Sequence, residues 1–383
     1  MSNTSGTSEQ IISLPKGGGA MHNIGEKFSP DLFTGTGNFT VPIALPPGRN
    51  GFQPQVNLVY STGNGNGPFG LGWSLSIPGV SRKTSKGVPL YDDANDIFIL
   101  SGAEDLVPVE GEKIESNTEV KTRARYRPRT EGLFARIDHH HSVDKVHHAI
   151  LSDYWEVRSK DGLISVYGTP DAAGTDTAVV AKPADRSRVF AWKLTRTIDP
   201  FGNRIEYQYE RDTVQTDGPH QWDQLYLSEI RYIDYGDPAN PQFLVTVNFT
   251  YEERSDHFSD YRAGFEIRTV RRCTKIEIST HADADVLTRT YHLIYLDQRG
   301  VPQEQLPLNG ISMLSQIKVI GHDGERIEEL PPLEFGYTRF EPEKRDFFPI
   351  TGPDMPSGSL ARGDQELADL FGNGLPDILQ MNG

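Results

Sequence analysis

The amino-acid sequence predicts an all-β fold made mostly of antiparallel strands. Its 383 residues include 37 glycines and 26 prolines, and this density of turn-forming residues fits many short strands better than long helices. Apolar and polar residues alternate with a period of two in several segments, which is the pattern of a half-buried strand. Long amphipathic helices are not evident, and a short helix around residues 223–227 is the one alternative to strand that we consider.

The predicted strands follow one another along the chain. Residues 97–100 form a short apolar run that predicts a buried strand. Residues 192–198 and 205–209 predict a hairpin, because a proline, a glycine and an asparagine lie between them. The clearest alternation, at residues 243–251, places every second side chain on a face that should be buried. Similar alternation occurs at residues 287–295 and 333–337.

A glycine-rich segment invites a nucleotide-binding interpretation. Gly65, Gly67 and Gly70 match the G-x-G-x-x-G spacing, and acidic residues follow at the distance at which such sites bind a ribose. That fingerprint needs a helix after the last glycine. Pro68 lies inside the motif, and residues 73–77 alternate like a strand, so no helix is expected. We therefore interpret the segment as a structural corner where strands approach closely.

Several longer motifs resemble the SpvB and TcB proteins, namely the amino-terminal domain shared by a plasmid virulence protein and the B component of insecticidal toxin complexes. The motifs occur in the order of that family. They are residues 13–20 (S-L-P-K-G-G-G-A), 66–73 (N-G-P-F-G-L-G-W), 82–91 (R-K-T-S-K-G-V-P-L-Y), 126–131 (Y-R-P-R-T-E), 192–209, 264–273 (G-F-E-I-R-T-V-R-R-C) and 330–337 (L-P-P-L-E-F-G-Y). A histidine-rich stretch at residues 135–149 has no counterpart that we can match.

The resemblance implies a fold and a division of the chain. We expect a multi-stranded antiparallel β domain related to RHS-type shells, followed by the first part of an FG-GAP-like β-propeller blade. The expected parts are a disordered polar N-terminus at residues 1–12, the SpvB-like domain at 13–340, a linker at 341–360 and the propeller repeat at 361–383. Because a blade needs four strands, the last part is expected to be truncated, and the chain to be a fragment of a longer protein.

The resemblance also implies a mechanical role without catalytic residues, cofactor or metal. A B component of this kind joins a C-type component in a hollow β shell that encloses a toxic effector, while its propeller docks on an A-type pore-forming component and gates release. The alternative is a delivery module, as in SpvB, whose ADP-ribosyltransferase domain lies downstream and is absent here. A third hypothesis, a carbohydrate-active β protein, needs an aromatic-lined cleft, whereas the four tryptophans lie in predicted strands or turns.

ADP-ribosyl transfer by these residues is not expected. The transferase of the resembling family combines an E-x-E pair with an S-T-S strand. Glu110 with Glu112 and Glu341 with Glu343 match the pair, but S-T-S is absent and both pairs lie beside turn residues. With 53 acidic residues in the chain, such pairs arise without function.

One segment near the end invites a calcium hypothesis. Asp369, Asn373 and Asp377 stand at positions 1, 5 and 9 of a stretch that offers oxygen ligands. The side chain of Phe371, at position 3, cannot ligate a cation. The glycines and proline of the stretch equally describe a tight turn, which we favour over a metal site.

The densest group of potential zinc or nickel ligands is a histidine cluster. It consists of His139, His140, His141, His147 and His148. Consecutive histidines point in different directions on a strand and no cysteine lies near, so we expect an exposed loop and not a metal site. Such a loop would gain charge as the pH falls through the histidine range.

Composition limits the partners and the compartment. The formal net charge of −15 argues against nucleic acid and anionic membrane surfaces, and no segment is apolar enough to span a bilayer. The single cysteine, Cys273, excludes an internal disulfide, and its strand-like context favours a buried thiol over a nucleophile. Residues 1–12 lack the basic start and apolar run of a secretory signal. We therefore expect synthesis in the bacterial cytoplasm and export to the outside by another route.

Overall fold

The computed structural model of the protein describes residues 25–31, 36–101, 104–130, 132, 134–147, 150–170, 176–324, 326–339, 352, 358, 360–361, 363–371 and 377–381. Strands dominate these residues, and their helices are three short 3-10 turns at Arg49–Gly51, Leu296–Gln298 and Gln303–Gln305. The predicted all-β fold is confirmed. None of these turns has the length or the apolar character that a bilayer crossing requires. The expectation for residues 1–12 lies outside the described residues.

A four-stranded antiparallel sheet comes first. It consists of β1 Lys27–Asp31, β2 Thr36–Pro42, β3 Asn57–Ser61 and β6 Trp73–Leu75. The glycine-rich segment between β3 and β6 forms a small hairpin of β4 Asn66–Gly67 and β5 Gly70–Leu71. The order β1-β2-β3-β6 therefore holds both ends of the glycine segment at one edge of the sheet.

Eight further strands close into a hydrogen-bonded ring. They are β7 Gly79–Arg82, β8 Phe98–Leu100, β9 Glu104–Glu115, β10 Glu119–Pro128, β11 Arg136–Asp144, β12 Ile150–Arg158, β13 Ile164–Tyr167 and β15 Val189–Ile198. Each pairs antiparallel with the next, and β15 pairs back with β7, which closes the ring. The short β14 Val179–Ala181 pairs with the first half of β15. Closure pairs strand edges that would otherwise be open to other chains.

A long antiparallel meander continues from the same β15. It consists of β16 Arg204–Asp217, β17 His220–Asp237, β18 Asn240–Asp260, β19 Ile267–His281, β20 Asp285–Tyr295, β21 Leu314–Asp323, β22 Arg326–Glu329 and β23 Leu333–Glu334. The last half of β15 pairs with β16, so one strand belongs to both the ring and the meander. Beyond it, β24 Gln365–Ala368 and β25 Asp377–Gln380 form a separate two-stranded pair.

Most of the predicted strands are confirmed. Residues 98–100 of the predicted run 97–100 form β8, and the hairpin around residue 200 is formed by β15 and β16. In β18, Phe243, Val245, Val247 and Phe249 are buried, as their alternation predicts. The segment at 333–337 is strand only over its first two residues.

The short helix considered around residues 223–227 is wrong. These residues lie inside β17, where Asp223, Leu225, Tyr226 and Leu227 pair with successive residues of β16. Leu225, Tyr226 and Leu227 are all buried. Pairing with a neighbouring strand therefore decides the local structure, in place of the weak helical pattern.

Candidate functional site

The interior of the ring holds polar and charged side chains among aromatic ones. Because side chains alternate along a strand, every second residue of each ring strand points inward. We name the inward group the barrel cluster; its members are Arg82, Phe98, Tyr126, His139, Trp155 and Trp192, together with the carboxylate of Asp153, and it is contacted from the loop between β7 and β8 by Asp96 and by Asp93, whose side chain is 44% exposed. The six named first are all at most 5% exposed. This cluster is the most chemically distinctive buried group of the ring.

His139 is held mainly by the Asp153 carboxylate and the Trp155 ring, and its Nδ1 also lies 3.6 Å from Asp93 Oδ2. Its ring stacks on Trp155 at 4.2 Å with an interplanar angle of 6°. Its Nε2 lies 2.8 Å from Asp153 Oδ1, which also accepts a hydrogen bond of 2.9 Å from Trp192 Nε1. Burial alone would raise the pKa of Asp153, but the hydrogen bonds from His139 and Trp192 hold this pKa below its ordinary value. The carboxylate of Asp153 therefore stays charged inside the ring.

Arg82 occupies the other side of the barrel cluster. Its guanidinium donates to Asp93 and to Asp96, each at 2.7 Å, and its Nε donates to the Val189 carbonyl at 2.8 Å. The guanidinium carbon lies 4.8 Å from the centre of the Phe98 ring. A planar donor that meets two carboxylates and an aromatic face is well compensated for its burial.

The prediction that the histidine cluster forms an exposed loop is wrong for its first three residues. His139, His140 and His141 lie in β11, which pairs with β10 on one edge and β12 on the other. His139 points into the ring, whereas His140 stacks on Tyr154 at 4.7 Å. Burial lowers the pKa of His140. The strand forms because its inward positions fill the aromatic core, a signal that lies in the partner strands and not in the histidines themselves.

The rest of the histidine cluster is dispersed. His147 lies in the turn after β11 with its side chain 78% exposed, and His148 lies outside the described residues. Among the residues that the structure describes, no group of three or more histidine, cysteine or acidic side chains is arranged to hold a metal ion.

The glycine-rich segment is a corner, as predicted, and no helix follows it, since β6 begins at Trp73. Gly70 adopts a positive φ of 89°, and a Cβ added there would lie 2.8 Å from the Ser312 carbonyl oxygen. Two backbone hydrogen bonds fix the corner on the meander, one from Leu71 N to Ser312 O and one from Cys273 N to Pro68 O. The glycines thus serve close packing between the small sheet and the meander.

A buried ion pair on β18 contacts this corner. Arg254 donates to both carboxylate oxygens of Asp256 at 2.8 and 2.6 Å, to the Gly67 carbonyl at 2.7 Å and to Asn66 Oδ1 at 2.9 Å. Ser312 donates to Asp256 through its backbone N–H and its hydroxyl, each at 2.6 Å. Burial opposes the charge, but the bonds from Arg254 and Ser312 hold the pKa of Asp256 far below its ordinary value. One ion pair therefore ties three segments together.

The remaining candidates from the sequence are either buried in the core or lie at the surface. Cys273 is completely buried and burial raises the pKa of its thiol, as expected for a structural cysteine. Glu110 and Glu112 lie on β9, where they pair with Arg125 and Arg123 of β10. Both ion pairs lie at the surface of the ring.

Two further candidates lie at the end of the chain. Glu341 and Glu343 lie outside the described residues, as does Asn373. Asp377 accepts a hydrogen bond of 3.0 Å from the Leu370 backbone, which is a contact typical of a turn. The tight turn and the calcium site both stay predictions.

The buried ion pairs and hydrogen bonds of the barrel cluster, and those around Arg254 and Asp256, stabilise the fold. Their charged groups meet partners from other strands or loops, and these bonds fix strand positions relative to one another. Sequence reasoning missed Arg82, Asp153, Arg254 and Asp256. The available signal was a charged residue at an inward position of a strand pattern, but that pattern does not identify its partner.

The sequence of this chain is similar to that of a known protein family. The profile of the SpvB family, described as Salmonella virulence plasmid 65kDa B protein, matches residues 32–233 and 219–281. The mono(ADP-ribosyl)transferase SpvB of Salmonella typhimurium is 29% identical over 336 residues, which cover 74% of this chain and 54% of that protein. The protein of the same name from Salmonella choleraesuis (strain SC-B67) is 28% identical over 373 residues, 83% of this chain and 58% of that protein. The chain thus spans just over half the length of these curated relatives.

Solved structures share the fold. The crystal structure of TcdB2-TccC3 matches with a TM-score of 0.71 and 26% identity, and covers 98% of this chain and 20% of that chain. The Photorhabdus luminescens Tc holotoxin pore gives the same TM-score and identity, with 98% of this chain and 19% of that chain covered.

The N-terminal domain of effector protein SpvB from Salmonella typhimurium strain LT2 also matches. It has a TM-score of 0.60 and 25% identity, over 74% of this chain and 99% of that domain. The fold is therefore that of an SpvB N-terminal module and of one part of a Tc toxin chain. Because the family profile matches well over half of its residues, the chain belongs to the SpvB family.

Proposed function

We propose that this chain is a non-enzymatic structural component of a bacterial insecticidal-type toxin complex. In this proposal it forms part of a β shell that encloses a toxic effector and helps to deliver it. The observation that carries the proposal is the match to TcdB2-TccC3, which covers 98% of this chain at a TM-score of 0.71.

The internal geometry fits a structural wall better than an active site. The ring closes on itself, and buried Arg82, Asp153, Arg254 and Asp256 bind one another or neighbouring strands. Paired edges and internally satisfied charges suit a container, since its strands must resist opening and pairing with cargo.

The proposed partners follow from the same likeness. They are a C-type component, with which the shell is completed, and an A-type pore-forming component. The net charge of −15 makes nucleic acid an unfavourable further partner. We propose that the protein acts outside the bacterium after synthesis in the cytoplasm. We also retain the proposed division into residues 13–340 and a propeller repeat from residue 361, to which β24 and β25 would belong.

A second function is favoured by a specific observation. The SpvB N-terminal domain is covered over 99% of its length, and the curated relatives are named mono(ADP-ribosyl)transferases. The chain would then be the partner-binding delivery module of a longer protein with a downstream transferase domain. The toxin-complex match is preferred because it covers more of this chain, 98% against 74%.

Co-purification separates the two functions. The full-length product of the gene is expressed with C-type and A-type toxin-complex proteins, and the mixture is separated by size exclusion. We expect the full-length product to elute with the C-type protein as one stable complex. A full-length product that stays monomeric and transfers ADP-ribose to a protein acceptor would establish the delivery module instead.

A further inference from the structure

Lys193 stands in an unusual place between the ring and the meander. On β15 it lies between Trp192, an inward member of the barrel cluster, and Leu194, and both neighbours are buried in the main hydrophobic core. Because neighbouring side chains on a strand point to opposite faces, Lys193 points out of the ring. Two cavities of about 500 and 410 Å³ lie there, and Lys193 lines both of them. Their shared walls also include Leu75, Ile77, Pro78 and Gly79.

Besides the polar residues Asn64, Asn66 and Ser74, the wall of the smaller cavity contains apolar and aromatic residues. They include Phe69, Trp73, Leu225, Leu227 and Tyr251. The hydroxyl groups of two lining tyrosines are already used, since Tyr209 donates to the Leu194 carbonyl and Tyr251 to the Leu227 carbonyl, each at 2.9 Å. These tyrosines therefore offer the cavity mainly their ring faces.

The ammonium of Lys193 lacks a counter-charge. No hydrogen bond or ion pair joins its side chain to any residue in the described part of the chain, whereas buried Arg82, Arg254 and Arg272 each bind at least one carboxylate. Burial lowers the pKa of Lys193, and no carboxylate opposes that effect. A partly buried cation without a partner is unfavourable, so an anion that enters the cavity would stabilise the charged form of Lys193.

We propose that these cavities form a binding site for a small carboxylate with an apolar, preferably aromatic, body. The carboxylate pairs with the Lys193 ammonium, and the body packs on Trp73 and the leucine and tyrosine faces. Each of the two volumes is in the range of small-molecule sites. This ligand site goes beyond the proposed shell function and does not depend on it.

Phenylacetate and its neutral analogue phenylacetamide test the charge requirement. Isothermal titration calorimetry at pH 7 on the full chain should show binding of phenylacetate, and binding of phenylacetamide weaker by about tenfold or more. Lys193→Met should weaken phenylacetate binding by about the same factor. Lys160→Met, at an exposed turn lysine, is the matched control and should leave the affinity unchanged.

A second measurement keeps the proposal testable if Lys193→Met fails to fold. Reductive ¹³C-methylation makes lysine side chains visible by NMR, and Lys193→Arg identifies the Lys193 signal by its loss. Phenylacetate should shift this signal and raise the pKa of Lys193, because the ion pair favours the charged amine. The proposal is overturned if phenylacetate leaves the Lys193 signal unmoved, or if it binds the native chain and Lys193→Met equally.

Discussion

At the scale of single residues, this fold depends on buried basic groups that meet their partners across strands. Arg82 binds carboxylates of the segment between β7 and β8, His139 binds Asp153 of β12, and Arg254 reaches the β4–β5 hairpin. Removing one partner leaves the other buried and unpaired, which costs more than the pair itself contributes.

His139 provides the first prediction. His139→Ala removes the stack on Trp155 and one of the donors to Asp153, so we expect a loss of roughly 2–4 kcal/mol in the free energy of unfolding. His147→Ala, in the exposed turn after β11, should change it by less than about 0.5 kcal/mol. Urea unfolding followed by tryptophan fluorescence measures both. Equal, small effects of the two substitutions would show that the barrel cluster does not stabilise the ring.

Asp256 makes stability depend on pH. Its pKa is depressed in the folded protein, so the unfolded chain takes up a proton at a higher pH than the folded one does. The stabilisation is present above the unfolded pKa of about 4 and is lost as the pH falls towards the folded value. Asp256→Asn should be less stable at pH 6, and it should lose less stability than the native chain between pH 6 and pH 3.

The matched control for this prediction is Asp161→Asn, at an exposed turn aspartate. It should leave the pH dependence of the native chain unchanged. Urea midpoints at pH 6, 4.5 and 3 compare the three proteins. Parallel curves for the native chain and Asp256→Asn would contradict the assigned role of Asp256.

At the scale of elements, the glycine corner joins the small sheet to the meander. Gly70→Ala places a methyl group against the Ser312 carbonyl at a positive φ, so we expect a loss of about 2 kcal/mol in the free energy of unfolding. Gly65 lies in the same segment, but a Cβ there meets nothing within 4 Å. Gly65→Ala should therefore be nearly neutral in urea unfolding. A corner that tolerates both changes equally would not depend on close packing.

The elements also show how far sequence reasoning extends. The alternation in β18 and the turn between β15 and β16 are local signals, and the structure confirms both. The strand at residues 139–141 was missed because histidines carry no strong strand preference, and the aromatic partner of His139 lies on β12. Long-range pairing, which the local pattern does not encode, decides such segments.

The hydrogen-bond networks were harder to predict from the sequence than the strands were. Arg254 and Ser312 meet through Asp256 although they lie 58 residues apart in sequence (312 − 254). Their types and spacing form no motif, so sequence offers no reason to join them. The resemblance along residues 13–340 identified the family, but it does not specify which side chains hold the ring closed.

At the scale of the whole molecule, one strand links the two largest parts. Because β15 pairs with β7 in the ring and with β16 in the meander, the ring and the meander share a continuous hydrogen-bonded network. Such continuity suits a wall that must hold its shape around a cargo. The match to TcdB2-TccC3 covers 98% of this chain, which supports the proposed shell role.

Protease protection of a cargo tests the shell proposal most directly. The full-length gene product is assembled with its C-type partner and the encoded effector, and the effector is followed by immunoblot during digestion, with and without denaturant. We expect the effector to survive in the native complex and to be degraded once denaturant opens it. An effector that is digested in the native complex as fast as it is when free would contradict the shell.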